Sequence, residues 1–348
     1  MDGSIWLWVG FNLFVLAMLA LDLGVFHRKA HAVSGKEALT WSLVWISLSL
    51  VFNAVIYFLW DRMMPGSAYT NSEAALAFFT GYLIEKSLSV DNIFIFILIF
   101  SFFGVPAAYQ HRVLFWGILG ALAMRGAMIA IGAKLIHEFH WVLYVFAVFL
   151  IGTALKMLFM KAGHSDPGQN AMVKLVRRFF PVTARFHGEH FLVRAGSAAS
   201  REAETPGATC LRDEVVEKAK PGTLLLTPLA LALVMVETTD LIFAVDSIPA
   251  IFAITGDPFL VFTSNVFAIL GLRSLYFALA GAVHKFRYLK VSLALVLLVV
   301  GVKMLVAGWL KELLGKHFNA VLLLVVLAIL AVGVAASLAA DRRDARRA

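Results

Sequence analysis

Charged residues and cysteine are both scarce in this sequence. Only 15% of its 348 residues are charged, while 61% are hydrophobic and the mean hydropathy is +0.86. A soluble domain carries about 25% charged residues, so this chain is too apolar to be stable as a globule in water. The single cysteine, Cys210, excludes a disulfide framework and a thiolate metal site.

Long apolar runs interrupted by polar segments indicate a polytopic membrane protein. Runs of about 18 apolar residues or more are typical of membrane-spanning helices. The first run is expected to be a retained helix, because a small-residue cleavage site is hard to find after it. The expected fold is all-α, a transmembrane bundle of nine spans at residues 4–26, 38–60, 73–102, 110–133, 141–160, 222–254, 258–283, 289–309 and 318–340.

The distribution of lysine and arginine predicts the orientation of the spans. With the N-terminus outside, the inside segments hold 21 of the 30 cations and the outside segments hold 4. Leaving out the 61-residue segment 161–221, the counts are still 11 and 4, so the positive-inside rule predicts a cytoplasmic C-terminus. The net charge of +8 is explained by this topology, and we do not expect nucleic acid binding.

Three intramembrane charges recur in order and indicate an internal repeat. Asp91, Arg125 and Lys156 recur 149, 148 and 147 residues later as Asp240, Arg273 and Lys303. Each unit has three spans, an odd number, so the two units must enter the membrane from opposite sides. Inverted repeats of this kind are a recurring design of transporters, with the substrate site between the two repeats.

The repeats divide the chain into five segments. We expect two N-terminal helices, a first repeat, a cytoplasmic polar loop, a second repeat, and a C-terminal helix with a basic tail. Their bounds are residues 1–72, 73–160, 161–221, 222–309 and 310–348.

Five acidic residues are shared between the first spans of the two repeats. An ionised carboxylate inside a membrane is costly unless it is paired or lines a wet cavity. They are Glu85, Asp91, Glu237, Asp240 and Asp246. One interpretation is that they only neutralise the five intramembrane cations, Lys86, Arg125, Lys156, Arg273 and Lys303. Their concentration on two related helices, beside polar neighbours such as Asn92, favours a functional site instead.

Helix geometry places a condition on this site. Glu237 and Asp240 are three residues apart and share a helix face, whereas Asp246 is nine residues from Glu237 and points the other way on a regular helix. Because Pro249 removes a backbone hydrogen bond, we expect a break over residues 245–249 that turns Asp246 back toward the site. The 33-residue length of this span also suggests a broken helix.

The donor types select the class of ligand. The ten histidines all fall in loops or near predicted helix ends, so the buried donors are carboxylate, amide, hydroxyl and main-chain carbonyl groups. Oxygen donors suit Mg²⁺, Ca²⁺ and Mn²⁺. The residues themselves therefore indicate a hard divalent cation or protons.

The segments GYLIEKSLSVDN, ETTDLIFAVDSIPAIFAIT and SNVFAILGLRSLYF resemble the signature segments of the TerC family of bacterial membrane proteins, including its Alx branch. The resemblance runs from about residue 38 to about 310. It implies manganese efflux across the inner membrane and a relationship to LysE-type exporters. It also implies that the five acids, with Asn92, bind the transported metal, with no permanently bound cofactor and no enzymatic activity.

Other functions are compatible with the resemblance. The family is also associated with tellurium resistance, and the Alx branch with redox modulation. A redox role would require a partner protein to supply the electron carrier, because no buried histidine pair or second cysteine is present. A scaffold that recruits membrane partners through residues 161–221 is a third class. Part of that loop, after HGEHFLVRAG, looks like an insertion relative to the family and is expected to be a solvated segment.

Overall fold

The computed structural model describes most of the chain as helices. The described residues are 2–21, 35–139, 141–159, 171–197, 214–280, 288–306 and 318–347. The helices are α1 (Asp2–Leu21), α2 (Gly35–Met63), α3 (Asn71–Phe103), α4 (Ala107–Glu138), α5 (Val142–Phe159), α6 (Ala171–Phe179), α7 (Glu214–Lys218), α8 (Pro228–Phe252), α9 (Pro258–Leu270), α10 (Leu272–Leu279), α11 (Leu289–Leu305) and α12 (Phe318–Arg347). The strands are β1 (Leu192–Arg194) and β2 (Leu224–Leu226).

The prediction of a polytopic helical membrane protein is confirmed. Within the described residues, six segments are long and apolar enough to cross a bilayer. They are Gly35–Met63, Ala107–Glu138, Val142–Phe159, Pro228–Phe252, Pro258–Leu279 and Ala320–Asp341. Two shorter apolar segments, Ile5–Leu21 and Val291–Leu305, coincide with the first and eighth predicted spans. The 33-residue helix α3 covers the third predicted span.

Local sequence signals determine where α3 begins and ends. The side chain of Thr70 accepts a hydrogen bond from the backbone of Glu73, and the carboxylate of Glu73 accepts one from the backbone of Thr70. This reciprocal cap satisfies donors that the first helical turn leaves free. The helix ends at Gly104, whose φ of 64° is the left-handed conformation that glycine adopts without steric cost.

The helices of the two predicted repeats pack across each other more than within each repeat. Helix α3 packs against α8 and α9, α4 packs against α8 and α9, and α5 packs against α11. Helix α9 lies at the centre of this arrangement, and every residue from Phe259 to Leu270 is buried. Phe259, Phe267 and Phe78 are fully buried there and form an aromatic core with Phe11 of α1.

The sequence prediction of a broken α8 was wrong. Helix α8 continues through Pro249 to Phe252, so the predicted break over residues 245–249 is absent. It has 25 residues rather than 33, because β2 occupies the start of the predicted span, and the length no longer requires a break. The seventh predicted span matches the apolar segment Pro258–Leu279, and the structure interrupts its helix at Gly271, between α9 and α10.

The predicted polar loop is closed at its base by a small sheet. Strands β1 and β2 pair antiparallel, with Leu192 opposite Leu226 and Arg194 opposite Leu224. This pairing brings the two ends of the insertion together beside the start of α8. Cys210 and the rest of residues 198–213 lie outside the described residues.

Candidate functional site

Arg125 of α4 and Asp240 of α8 form a two-point ion pair in the interior. The Nε atom of Arg125 donates to Oδ2 of Asp240 at 3.1 Å, and its Nη2 atom donates to Oδ1 at 2.9 Å. The side chains are 2% and 4% exposed. This parallel arrangement is the strongest that arginine makes with a carboxylate, and it fixes both side chains.

The remaining terminal nitrogen of Arg125 joins two further helices to this pair. Its Nη1 atom donates to Oε1 of Glu85 on α3 in a short contact, and to Oδ1 of Asn265 on α9 at 2.7 Å. The hydroxyl of Ser247 on α8 lies 3.3 Å from the same nitrogen. One guanidinium therefore connects α3, α4, α8 and α9. We call Glu85, Arg125, Asp240, Ser247 and Asn265 the arginine cluster.

The arginine cluster has more negative charge than positive and has polar atoms to spare. Two carboxylates share one guanidinium, which leaves one excess negative charge if both acids are ionised. Oε2 of Glu85 and Nδ2 of Asn265 are buried without a hydrogen-bond partner in the described part of the chain. Buried polar atoms are almost always paired. Oε2 of Glu85 can accept from a water or bind a cation, whereas Nδ2 of Asn265 is a donor and needs an acceptor such as water.

Helix α3 presents further buried polar side chains on the face that carries Glu85. Ser89 and Asn92 follow at positions i+4 and i+7, and both are fully buried. Oγ of Ser89 and Oδ1 of Asn92 have no hydrogen-bond partner among the described residues. A polar stripe therefore extends from the arginine cluster along α3. The side chain of Asp91, on the same helix, lies outside the described part of the structure.

Two of the predicted cations stabilise helix ends. Nζ of Lys86 donates to the carbonyl oxygen of Ala268 at 3.2 Å, within the last turn of α9 just before the division at Gly271. Nζ of Lys303 donates at 2.6 Å to the carbonyl of Ala253, the C-cap residue that follows α8. The last turn of a helix has carbonyls without intrahelical partners, which an ammonium can satisfy. The positive charge also interacts favourably with the negative end of the helix dipole.

Glu237 and Asp246 lie on different sides of α8. The carboxylate of Glu237 rests against Gly120 of α4, where a Cβ atom would overlap it, and its Oε2 atom is buried without a described partner. Asp246 instead accepts a hydrogen bond of 3.0 Å from Thr153 of α5. Lys156, one turn further along α5, acts electrostatically on the same carboxylate. The structure brings Glu85 and Asp240 together, with Glu237 one turn away, and directs Asp246 toward α5.

A small cavity separates Asp240 from the second predicted arginine. Arg273 of α10 is buried and lines a cavity of about 10 Å³ together with Asp240 and apolar side chains of α4 and α9. This volume is about the room that one water molecule requires. In the described part of the chain, no three histidine, cysteine, aspartate or glutamate side chains are arranged to hold a metal ion. The oxygen-rich donor set of the arginine cluster and of Asn92 nevertheless has the chemistry that hard divalent cations prefer.

Two contributors to these contacts were not singled out from the sequence. Asn265 lies within an apolar span, eight residues before Arg273. A polar amide in such a span was the sequence signal that could have identified it as a site residue. Thr153 lies one turn before Lys156 on α5, and only the packing of α5 against α8 reveals its contact with Asp246. Both residues interact with charged groups on other helices.

A bundle of apolar helices enclosing a buried charged cluster defines this chain as a polytopic integral membrane protein with a polar interior. The integral membrane protein TerC family model matches residues 70–345. The chain therefore belongs to the TerC family, as the signature segments indicated.

Curated relatives cover most of the chain. An uncharacterized membrane protein of Myxococcus xanthus is 52% identical over 309 residues, which is 89% of this chain and 86% of that protein. An Escherichia coli K12 protein with the provisional name of membrane-bound redox modulator Alx is 46% identical over 308 residues, 88% of each chain. An uncharacterized membrane protein of Rickettsia bellii is 39% identical over 299 residues, 86% of this chain and 87% of that protein. No solved structure matches the chain.

Proposed function

We propose that this protein exports a hard divalent cation, most specifically Mn²⁺, through the arginine cluster. The observation that carries the proposal is the meeting of Glu85 and Asp240 in the interior, one from each predicted repeat, with Oε2 of Glu85 left without a described partner. Charged side chains inside a membrane protein are costly and generally mark substrate or ion pathways. Carboxylate and amide oxygens are suitable ligands for Mn²⁺.

The packing of the helices supports inverted repeats as the transport framework. If α3, α4 and α5 are exchanged with α8, α9 and α11, the contact of α4 with α8 becomes the contact of α9 with α3. The contacts of α3 with α8 and of α5 with α11 are unchanged by the exchange. This is the pattern that a two-fold relation between repeats produces, with the binding site between them.

The proposal includes the environment of the protein. With α1, α3 and α11 added to the six apolar segments, the described residues would supply nine spans, and an odd number would put the termini on opposite sides. The distribution of lysine and arginine supports an external N-terminus and a cytoplasmic C-terminus in the bacterial inner membrane. The partners would then be the lipid bilayer and the metal ion, and export could be coupled to inward proton flow.

A redox function is the second candidate, because the name of the Escherichia coli relative describes a redox modulator. This chain offers one cysteine, outside the predicted spans, so electrons would have to come from a partner membrane protein. A redox function through partners does not require the buried acids to bind metal. The effect of neutralising one acid therefore separates the two candidates.

Cellular manganese is the measurement that tests the proposal. Cells lacking the protein should accumulate more manganese under manganese stress than cells expressing it, and Asp240→Asn at equal abundance should restore the high level. Arg112→Gln on the same helix as Arg125 is the control, because Arg112 pairs with Glu189 at the half-exposed end of α4. Full protection by Asp240→Asn would contradict metal export through this site.

A further inference from the structure

The guanidinium of Arg125 occupies the space between Glu85 and Asp240. It donates to both acids and to Asn265, and the side chain of Arg125 is only 2% exposed. Both oxygens of Asp240 accept from it. In this arrangement the guanidinium takes the position that a cation bridging the two carboxylates would take.

We propose that Arg125 is a tethered competitor of the transported ion, so that the metal binds between Glu85 and Asp240 only when the guanidinium withdraws. The proposal rests on the proposed function and adds how occupancy of the same site is regulated. Two arguments favour exchange over simultaneous binding. The guanidinium already occupies the position between the two carboxylates. The cavity beside Asp240, about 10 Å³ or room for one water, is lined by Arg273 and not by Glu85, so it offers no second position between the two acids. An ion bound to both carboxylates would also lie against a positive charge in a medium that screens it weakly.

The exchange has a structural consequence. In the present arrangement, α4 is tied to α3 through Glu85 and to α8 through Asp240. An ion that replaces Arg125 joins α3 to α8 directly and releases α4 from both. Ion binding therefore changes which helices are connected, and a transporter requires its substrate to bias one arrangement over another in this way. Because Ser247 and Asn265 are neutral acceptors, they hold the guanidinium without adding charge that a metal would have to overcome.

The test is equilibrium Mn²⁺ binding to the full-length protein in lipid nanodiscs, with free Mn²⁺ measured by electron paramagnetic resonance. Arg125→Lys keeps a positive charge but cannot make the two-point bond to Asp240, so it should bind Mn²⁺ more tightly than wild type. If the site is free of Arg125 in about one wild-type molecule in ten, removing the competitor tightens binding about tenfold. Arg125→Gln removes the charge altogether and should bind at least as tightly as Arg125→Lys.

Matched controls make the outcomes distinct. Arg112→Gln removes an arginine from the same helix, far from the acids, and should leave the affinity unchanged. Unchanged or weaker binding by Arg125→Lys overturns the competitor role while leaving metal export standing. If Arg125→Gln does not fold, Arg125→Lys decides the matter. An absence of Mn²⁺ binding by wild type and by both Arg125 variants overturns the proposed function itself.

Discussion

At the scale of single residues, Arg125 is positioned by four acceptors on three other helices, and two of these acceptors are carboxylates. Removing charges from water is expensive, and a buried ion pair often stabilises a protein no more than apolar residues of the same size would. The arginine cluster is therefore weak evidence for added stability, which agrees with the binding role proposed for it.

The two ends of the ion pair should respond differently to neutralisation. Arg125→Gln leaves Glu85 and Asp240 buried without their counter-charge, and removing one partner of a buried pair costs about 3–5 kcal/mol. Asp240→Asn leaves Arg125 balanced by Glu85, so it should cost much less. Thermal unfolding of the purified variants, followed by circular dichroism, should therefore rank Asp240→Asn well above Arg125→Gln. Equal melting temperatures would show that Glu85 does not balance Arg125.

The sequence allowed the acids to be found, but their partners could not be assigned from it. A carboxylate inside an apolar run can be recognised from the sequence alone, and Glu85 and Asp240 were identified in this way. Which cation each acid meets depends on helix packing, because Arg125 is 40 residues from Glu85 and 115 from Asp240. Asp246 was expected to turn toward the other acids, and the continuous α8 directs it to Thr153 instead.

At the scale of helices, the predicted spans agree with the observed helices where the composition changes sharply at a helix end. The prediction is less accurate where a single residue, such as Pro249 or Gly271, determines whether a helix continues. The third predicted span, 73–102, corresponds to Asn71–Phe103, since Thr70, Glu73 and Gly104 provide clear end signals. Pro249 was expected to break α8, but transmembrane helices tolerate proline because neighbouring helices supply other partners. Gly271 divides α9 from α10, and Lys86 donates to a carbonyl in the last turn of α9. Because Lys86 is distant in the sequence, this contact could not be predicted from the residues around Gly271.

The contact of α5 with α11 depends on a glycine. A Cβ atom at Gly301 would lie 2.9 Å from Cγ1 of Ile151 and 3.1 Å from the carbonyl oxygen of Ala147. The backbone carbonyl cannot move without moving α5, so Gly301→Ala should cost about 1–3 kcal/mol through overpacking. The melting temperature of the detergent-purified variant measures this loss.

Gly152→Ala is the matched control for Gly301. It lies on α5 within the same helix pair, but a Cβ atom there meets nothing within 4 Å. Because alanine is a better helix former than glycine by about 1 kcal/mol, this variant should be as stable as wild type or more so. Equal destabilisation by the two substitutions would argue against close packing at Gly301.

At the scale of the whole molecule, the predicted orientation can be read with cysteine labelling, because the chain has only Cys210. The turn between α2 and α3 is predicted to lie outside. Gly66 in this turn has φ of 82°, which favours glycine, so Ala68, which is exposed, is the better position for a new cysteine. Ala68→Cys should react with a membrane-impermeant maleimide in intact cells, whereas Cys210 should react only after the cells are opened. Labelling of Cys210 in intact cells would contradict the predicted orientation and place residues 161–221 outside.

The central claim, that the molecule moves a hard divalent cation through the arginine cluster, is tested most directly by flux. Purified protein in liposomes containing a Mn²⁺-sensitive dye should admit added Mn²⁺ faster than protein-free liposomes. Asp240→Asn at equal reconstitution should reduce the rate to that of the protein-free liposomes, and Arg112→Gln should match wild type. A wild-type rate no higher than that of protein-free liposomes, or an equal rate for Asp240→Asn, would contradict the account.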